Sequence, residues 1–228
     1  MTDARNVLDQ LDALIKTKSI LNHPFYVAWE RGELTKEQLA TYATMYYPHV
    51  AAFPQYLVTT AAMAHDPEVR AEIDRNLADE LNHPKPHNEL WLDFVEGLGE
   101  DRSAVANAPA HDAATNMIHT FIHLAQKNAA CGLAALYAYE SQQPEVSRAK
   151  ADGLKERYAT DDEKTLGYFE VHAETDILHR EGERKALERL LTNGADSDEV
   201  IQAAEKALEA YWGLLDGVCA EAGIMVEC

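Results

Sequence analysis

The sequence predicts an all-α protein, and three observations support this. Apolar residues recur at the 3.6-residue spacing of a helix, as Leu8, Leu11 and Ile15 do within residues 4–18. Helix-capping signals open several such segments, and glycine or proline closes them. Strand and helix patterns do not alternate, and no internal repeat or low-complexity linker is present. A chain of 228 residues can fill one core, so we expect a single domain over residues 1–228 with seven to nine helices.

After the first helix, the sequence predicts a short helix and then a long one. The short helix covers about residues 22–30 and ends at Gly32. Thr35, with a glutamine three residues later, forms a capping box that opens the long helix. Pro48 and Pro54 should kink or break this helix, because each removes a hydrogen-bond donor and crowds the preceding turn.

Prolines and glycines mark several boundaries of the remaining predicted helices. A cap followed by proline opens a helix over residues 67–82. Pro84 and Pro86 interrupt the pattern before a helix at about 87–98, and residues 100–111 are predicted to be a loop. The remaining predicted helices are long and cover approximately residues 112–142, 144–158, 161–192 and 197–222.

The charge balance excludes some partners. The formal net charge is −19, so neither nucleic acid nor an anionic membrane surface would attract this chain. Residues 1–12 lack the basic start and apolar stretch of a signal peptide. The nearly apolar stretch from Ala129 to Tyr139 is too short to span a bilayer. The three cysteines are odd in number and lack metal-type spacing, so we expect a reduced, cytoplasmic protein.

The most informative motif is the run from His172 through Asp176 to His179. At about 100° per residue, these three side chains lie within roughly 60° of one another on a helix. Two imidazoles and a carboxylate on one rigid face could supply half the ligands of an iron-type site. A solvent-facing polar stripe is the alternative interpretation, because the same helix also carries Glu170 and Glu181.

Three further residues can complete such a site. Glu140 ends an apolar stretch, and a buried carboxylate there needs a partner; a solvated helix end is the alternative. Glu80 and His87 would share a helix face only if the helix were unbroken, but they can still converge across a turn. The candidate metal ligands are Glu80, His87, Glu140, His172, Asp176 and His179.

Mixed nitrogen and oxygen ligands suit iron or manganese, whereas a structural zinc site would require thiolates. Two metals sharing six protein ligands keep open positions at which dioxygen can be reduced. His119 and His123 form a rival pair one helical turn apart, but no carboxylate accompanies them on that face. We therefore interpret this second pair as structural.

Longer stretches of the chain resemble a known family. Three segments show this resemblance: Leu136-Tyr-Ala-Tyr-Glu140-Ser-Gln-Gln-Pro, the segment from Glu80 to His87, and the run from His172 through Asp176 to His179. They are similar to the Chlamydia protein associating with death domains (CADD) and its bacterial relatives. The segments Asn22-His-Pro-Phe-Tyr26-Val-Ala-Trp and Gly32-Glu-Leu-Thr-Lys-Glu-Gln-Leu add to the likeness, which runs over nearly the whole chain.

The resemblance implies a haem-oxygenase-like dimetal oxidase, related in fold to the pyrroloquinoline-quinone synthesis oxidase and the TenA thiaminases. It implies a compact bundle of about seven core helices, a pair of iron or manganese ions on the six ligands named above, and no haem. The co-substrates implied are dioxygen and an external reductant, which the sequence does not identify. A homodimer is our expectation on general grounds.

The resemblance further implies that the protein makes p-aminobenzoate, a folate precursor, from its own residues. Tyr26 falls on the tyrosine that supplies the ring, and Lys150 falls on the lysine that donates the amino group. The protein would then act as a single-turnover reagent. Tyr42, Tyr46 and Tyr139 are further aromatics that could relay electrons. By themselves, a tyrosine and a lysine on helices are ordinary core and surface residues.

Three alternatives remain open from the sequence. A dimetal oxidase could act on an external small molecule in the same pocket. A cofactor-free hydrolase of the TenA type would need a cysteine nucleophile, and Cys131 is easily read as a small core residue. A regulatory helical protein is the third alternative, but the chain lacks a basic recognition helix for DNA.

Overall fold

The computed structural model describes residues 4–224, which form eleven α-helices and one 3₁₀ turn and contain no β-strand. The predicted all-α class is confirmed. The 3₁₀ turn, Ile20–Asn22, lies between the first two helices. The helices are α1 (Ala4–Thr17), α2 (Pro24–Arg31), α3 (Lys36–Met63), α4 (Pro67–Asn82), α5 (His87–Gly97), α6 (Arg102–Asn107), α7 (Asp112–Lys127), α8 (Ala129–Glu140), α9 (Gln143–Arg157), α10 (Glu163–Thr192) and α11 (Ser197–Glu221).

The capping signals act as the sequence predicts. The Thr35 hydroxyl accepts a hydrogen bond from the backbone N–H of Gln38, whose side chain accepts one from the Thr35 N–H in return. Asp66 caps α4 by accepting from two backbone N–H groups of its first turn. Gly32 ends α2 at φ 70°, a left-handed conformation that glycine adopts without steric cost.

Helix α3 is not broken at Pro48 or Pro54, so that part of the prediction is wrong. Each proline removes one backbone hydrogen bond, but α3 packs along its length against α4, α5, α7 and α8. Its buried side carries a run of aromatic residues that includes Tyr42, Tyr46 and Phe53. This burial stabilises the helix by more than the lost hydrogen bonds cost.

Two other predictions need correction. The predicted loop 100–111 contains α6, which Asp101 caps by accepting from the N–H of Ala104. The predicted helix 112–142 is two helices, because Asn128 adopts an extended backbone (φ −171°) and caps α8 by accepting from the N–H of Cys131. These two changes bring the nine predicted helices to eleven among the described residues.

Helix α8 lies at the centre of the bundle. All of its residues are buried, and it packs against α3, α7, α10 and α11. A helix that is apolar on every side is stable only when other elements surround it. Glu140, its last residue, is therefore held inside the protein. Between residues 4 and 224, no helix is both long enough and apolar enough to cross a bilayer.

Cys131 and Cys219 are buried free thiols, and Cys228 lies outside the described residues. Two histidines, His23 and His111, cap helices. The ring Nδ1 of His23 accepts from the backbone N–H of Phe25 and caps α2. His111 caps α7 in the same manner through the N–H of Ala113.

Candidate metal centre

The metal-type face of α10 points into the protein. His172, Asp176 and His179 are all buried, so the interpretation of this stripe as a solvent-facing surface is wrong. Glu80, His87 and Glu140 are buried as well. The six side chains come from α4, α5, α8 and α10 and meet as two groups of three. In each group, one ligand atom per residue lies within 4.8 Å of the others.

The first group consists of Glu80, His87 and His172. Glu80 stands near the end of α4 and His87 begins α5, so the turn containing the two prolines brings them together. The Nδ1 of His87 lies 2.8 Å from Oε1 of Glu80. The Nε2 of His172 lies 3.8 Å from the same oxygen. The two imidazole centres are 4.4 Å apart.

The second group consists of Glu140, Asp176 and His179. The Nδ1 of His179 lies 3.2 Å from Oε1 of Glu140 and 3.2 Å from Oδ1 of Asp176. Asn76 of α4 donates both of its 3.0 Å hydrogen bonds to the Glu140 oxygens. The Nε2 of His179 lies 3.2 Å from Oδ2 of Asp79 at the edge of the site. This group has more oxygen ligands than the first.

Backbone carbonyls orient the two imidazoles of the first group. The Nε2–H of His87 donates to the carbonyl of His83 at 3.0 Å, and the Nδ1–H of His172 donates to the carbonyl of Tyr168 at 2.7 Å. In each ring the other nitrogen faces Glu80. Metal-binding histidines are commonly held in this way by a partner of the second nitrogen.

The electrostatics of the site fit a cation. Burial raises the pKa of Asp176 to about 7, although the Nδ1 of His179 lies 3.2 Å from one of its oxygens and acts in the opposite direction. Burial, reinforced by His87, lowers the pKa of His172 well below its usual range. Burial also lowers the pKa of His179, but Asp176 and Glu140 outweigh this and raise it to about 11. Several buried carboxylates and imidazoles within a few ångströms of one another form a set of ligands that is complementary to a metal ion.

Little space remains beside these residues. A cavity of about 10 Å³, room for roughly one water molecule, is lined by members of both groups together with Tyr139 and Tyr168. Tyr168 stacks on His172 with ring centres 3.9 Å apart. The larger surface grooves have other linings, and one of these, between α7 and α11, contains the exposed pair His119 and His123.

Tyr26 and Lys150 lie together, away from the surface. Tyr26 is 3% exposed and Lys150 is 1% exposed. The Nζ of Lys150 lies 5.2 Å from the centre of the Tyr26 ring. Burial lowers the pKa of Lys150 to about 7. The other aromatic rings whose centres lie within 5.8 Å of this nitrogen are Tyr42, Tyr46, Trp91 and Phe169.

Tyrosine side chains lie between the two regions, and three of their hydroxyls are joined by hydrogen bonds. The hydroxyls of Tyr46 and Tyr139 are 2.8 Å apart, and Tyr139 in turn interacts with the hydroxyl of Tyr168 beside the metal-type groups. Tyr46 donates to the hydroxyl of Tyr211 at 3.1 Å, and Tyr211 interacts with Tyr26.

At its far end, this hydroxyl chain reaches Tyr42, whose hydroxyl lies 3.2 Å from that of Tyr26. Burial raises the pKa of both phenols well above the usual range. These hydroxyls therefore stay protonated at neutral pH.

Sequence reasoning missed two residues of this region. Tyr211 lies on α11, and no local pattern marks it. Glu183 lies on α10, four residues after His179, and its carboxyl contacts that of Glu140. The spacing of the metal-type stripe continues to this position, so the sequence did contain a signal for Glu183.

The comparison with known proteins agrees with this picture. Residues 40–212 match the family described as iron-containing redox enzyme. The chain is 40% identical to the 4-aminobenzoate synthase of Chlamydia trachomatis over 212 residues, covering 92% of this chain and 91% of the relative.

Solved structures agree in fold. A CADD-like protein of unknown function from Nostoc punctiforme superimposes with a TM-score of 0.79 at 17% identity, over 97% of this chain and 99% of that one. A protein from Shewanella denitrificans described as having a haem-oxygenase-like fold gives a TM-score of 0.72 at 19% identity, over 96% and 91% of the two chains. The haem-oxygenase-like bundle and the resemblance to the CADD group are confirmed. The chain belongs to the family of iron-containing redox enzymes.

Proposed function

We propose that this protein is a dimetal oxygenase that forms p-aminobenzoate from its own Tyr26, with Lys150 as the amino donor. The observation that carries the proposal is the burial of Tyr26 and Lys150 against each other, with hydrogen-bonded tyrosines between them and the two groups of ligand-type residues. The name of the Chlamydia relative, 4-aminobenzoate synthase, supports the product. The family description supports a redox metal.

Six residues would hold the metals in this proposal. Glu80, His87 and His172 would bind one ion, and Glu140, Asp176 and His179 the other. The donor set allows iron, manganese or one of each, because imidazole and carboxylate ligands suit both metals. When bound and reduced by an external reductant, such a pair supplies the electrons that dioxygen chemistry requires.

The amine of Lys150 is prepared by its surroundings. With a pKa near 7, a large fraction of this amine is uncharged at neutral pH and keeps a free lone pair. An uncharged amine is a nucleophile, whereas the ammonium form is not. The aromatic rings around it exclude water and hold the nitrogen over Tyr26. Such placement removes much of the entropic cost of joining the two groups.

The tyrosine hydroxyls give protons a route. The hydroxyls of Tyr139, Tyr46 and Tyr211 are joined by hydrogen bonds, and Tyr168 and Tyr26 interact with the two ends of this chain. A proton leaving the Tyr26 oxygen can therefore be replaced along the chain without bulk water. This proton route is separate from the electron relay expected of Tyr42, Tyr46 and Tyr139.

Isotope labelling tests the proposal. The protein is made with ¹³C-ring tyrosine and ¹⁵N-lysine, then given Fe²⁺ and Mn²⁺, a chemical reductant and dioxygen. We expect p-aminobenzoate that carries both labels, in an amount no greater than one molecule per chain. A Tyr26→Phe variant should yield none. Unlabelled product, or labelled product from the Tyr26→Phe variant, would contradict the proposal.

An oxidase of an external small molecule is the competing function. The cavity beside the metal-type groups holds about one water molecule, so this structure offers no room there for such a substrate. Repeated turnover by the Tyr26→Phe variant on an added substrate would support that function instead.

A further inference from the structure

Glu183 is a buried carboxyl group outside the six-residue set. It lies on α10 one turn after His179, and 3% of it is exposed. Neither of its oxygens has a hydrogen-bond donor among residues 4–224. The group it contacts is the carboxyl of Glu140, which is itself an acceptor. Burial without a donor is unfavourable for a carboxylate unless a cation or a proton compensates it.

The surroundings of Glu183 belong to the second group. It lines a small cavity together with His179 and Asn76, the same asparagine that holds Glu140. Glu72 also lines this cavity, but that carboxylate is paired with Arg75 at the surface. The groups that face Glu183 from the neighbouring helices thus include no cation that pairs with it in the described part of the chain.

The position of Glu183 on its helix repeats the ligand spacing. Residues 172, 176, 179 and 183 all lie within roughly 60° of one another around α10. At the neighbouring Gly182, the carboxylate of Glu72 occupies the place that a Cβ would take. The ligand face of α10 therefore extends one turn beyond His179.

We propose that Glu183 is a seventh metal-binding residue, a carboxylate that joins Glu140, Asp176 and His179 in holding the second ion. This inference rests on the proposed function, because it assumes that the two groups bind metal. It makes the two sites chemically unequal. The first has two imidazoles and one carboxylate, and the second has one imidazole and two carboxylates, to which Glu183 would add a third. An oxygen-rich site of this kind favours a hard divalent cation such as Mn²⁺.

Mn²⁺ binding to the full-length protein tests this assignment. Free Mn²⁺ is followed by its paramagnetic resonance signal while the metal is added under anaerobic conditions. The test variant is Glu183→Gln, which keeps the size and loses the negative charge. The matched control is Glu181→Gln, which changes an exposed glutamate on the same helix. We expect wild type and control to bind two equivalents, and Glu183→Gln to bind the second more than roughly 100-fold more weakly. A loss of only about 10- to 100-fold is what removal of a ligand's hydrogen-bond partner gives, and it would overturn the assignment of Glu183 as a ligand.

Thermal unfolding separates metal binding from packing. We expect the metal-free Glu183→Gln protein to melt no lower than wild type, and to gain less in Tm when Mn²⁺ is added. A lower metal-free Tm with an unchanged gain would mean that Glu183 only packs, and would overturn the inference. Equal second-site affinity in both variants would also overturn it. If the wild-type protein bound fewer than two equivalents of Mn²⁺, the proposed two-metal centre itself would be contradicted.

Discussion

The amine nitrogen of Lys150 lies 5.2 Å from the centre of the Tyr26 ring, and both residues are almost completely buried. The two side chains reach this place from α9 and α2, which pack against each other. The indole N–H of Trp29 donates to the backbone carbonyl of Lys150 at 3.3 Å and fixes the two helices in register. The packing of these two helices therefore places a buried amine beside a buried phenol ring in the folded protein.

The buried lysine should make stability depend on pH. Its folded pKa is about 7 against the ordinary 10.5, so between these values the unfolded chain holds a proton that the folded protein lacks. Stability should then rise with pH in this window, by about 1.4 kcal/mol per pH unit. We expect the free energy of unfolding of wild type, relative to Lys150→Met, to increase by this slope from pH 7.5 to 9.5.

Denaturant unfolding of metal-free protein at several pH values measures this slope. Lys155→Met, an exposed lysine of the same helix, is the control and should show no such trend. Parallel pH curves for wild type and Lys150→Met would mean that the buried amine stays protonated.

The two metal-type groups should be separable by substitution. We expect His87→Gln to lose the ion of the first group and Asp176→Asn that of the second, each binding one equivalent of Mn²⁺ instead of two. Counting bound Mn²⁺ in solution provides the measurement. The exposed His65→Gln variant should bind as wild type does. Two retained equivalents in either test variant would remove that residue from the ligand set.

Tyr211 should matter for product formation and little for metal binding. Its hydroxyl accepts from Tyr46 and interacts with Tyr26, so Tyr211→Phe interrupts the hydroxyl chain while keeping the ring. We expect the rate of p-aminobenzoate formation to fall about tenfold or more, with two metal ions still bound. Tyr56→Phe is the control, since that buried hydroxyl bonds His49 outside the chain. An unchanged rate in Tyr211→Phe would exclude this route for protons.

Close packing at Gly153 should be needed to hold α2 and α9 together. A Cβ there would lie 2.6 Å from the indole nitrogen of Trp29, so Gly153→Ala should destabilise the protein by about 1–3 kcal/mol. Gly213→Ala is the matched control, because no atom lies within 4 Å of a Cβ there. In the control the higher helix propensity of alanine should raise stability by up to about 1 kcal/mol. Chemical denaturation compares the two, and equal stabilities would show that Trp29 can move aside.

The ligand-type residues could be found from sequence because their signal is local. Spacing alone placed His172, Asp176 and His179 on one face, and the structure buries that face. The predicted set ended at His179 and left out Glu183, although the helical spacing of the ligand-type residues continues to that position. The approach of Glu80 to His87 depends on the shape of the turn that contains Pro84 and Pro86, and residue spacing does not predict that shape.

Other features depend on contacts far apart in the chain. Tyr46 and Tyr211 share a hydrogen bond across 165 positions, and no local pattern on α11 points to it. The continuity of α3 through Pro48 and Pro54 comes from packing on four neighbouring helices, which outweighs a local helix-breaking preference. The end of α7 at Asn128 was hidden because the apolar pattern runs on into α8.

The burial of Tyr26 has a consequence for control of the pathway. Under the proposed function, the reactant is part of the fold, and the adjoining cavity admits little more than a water molecule. Such a protein has no Michaelis constant for its aromatic substrate and cannot be inhibited by analogues that compete for a binding pocket. Output would follow the number of chains synthesised and supplied with metal, so the cell would regulate it through expression and metal delivery.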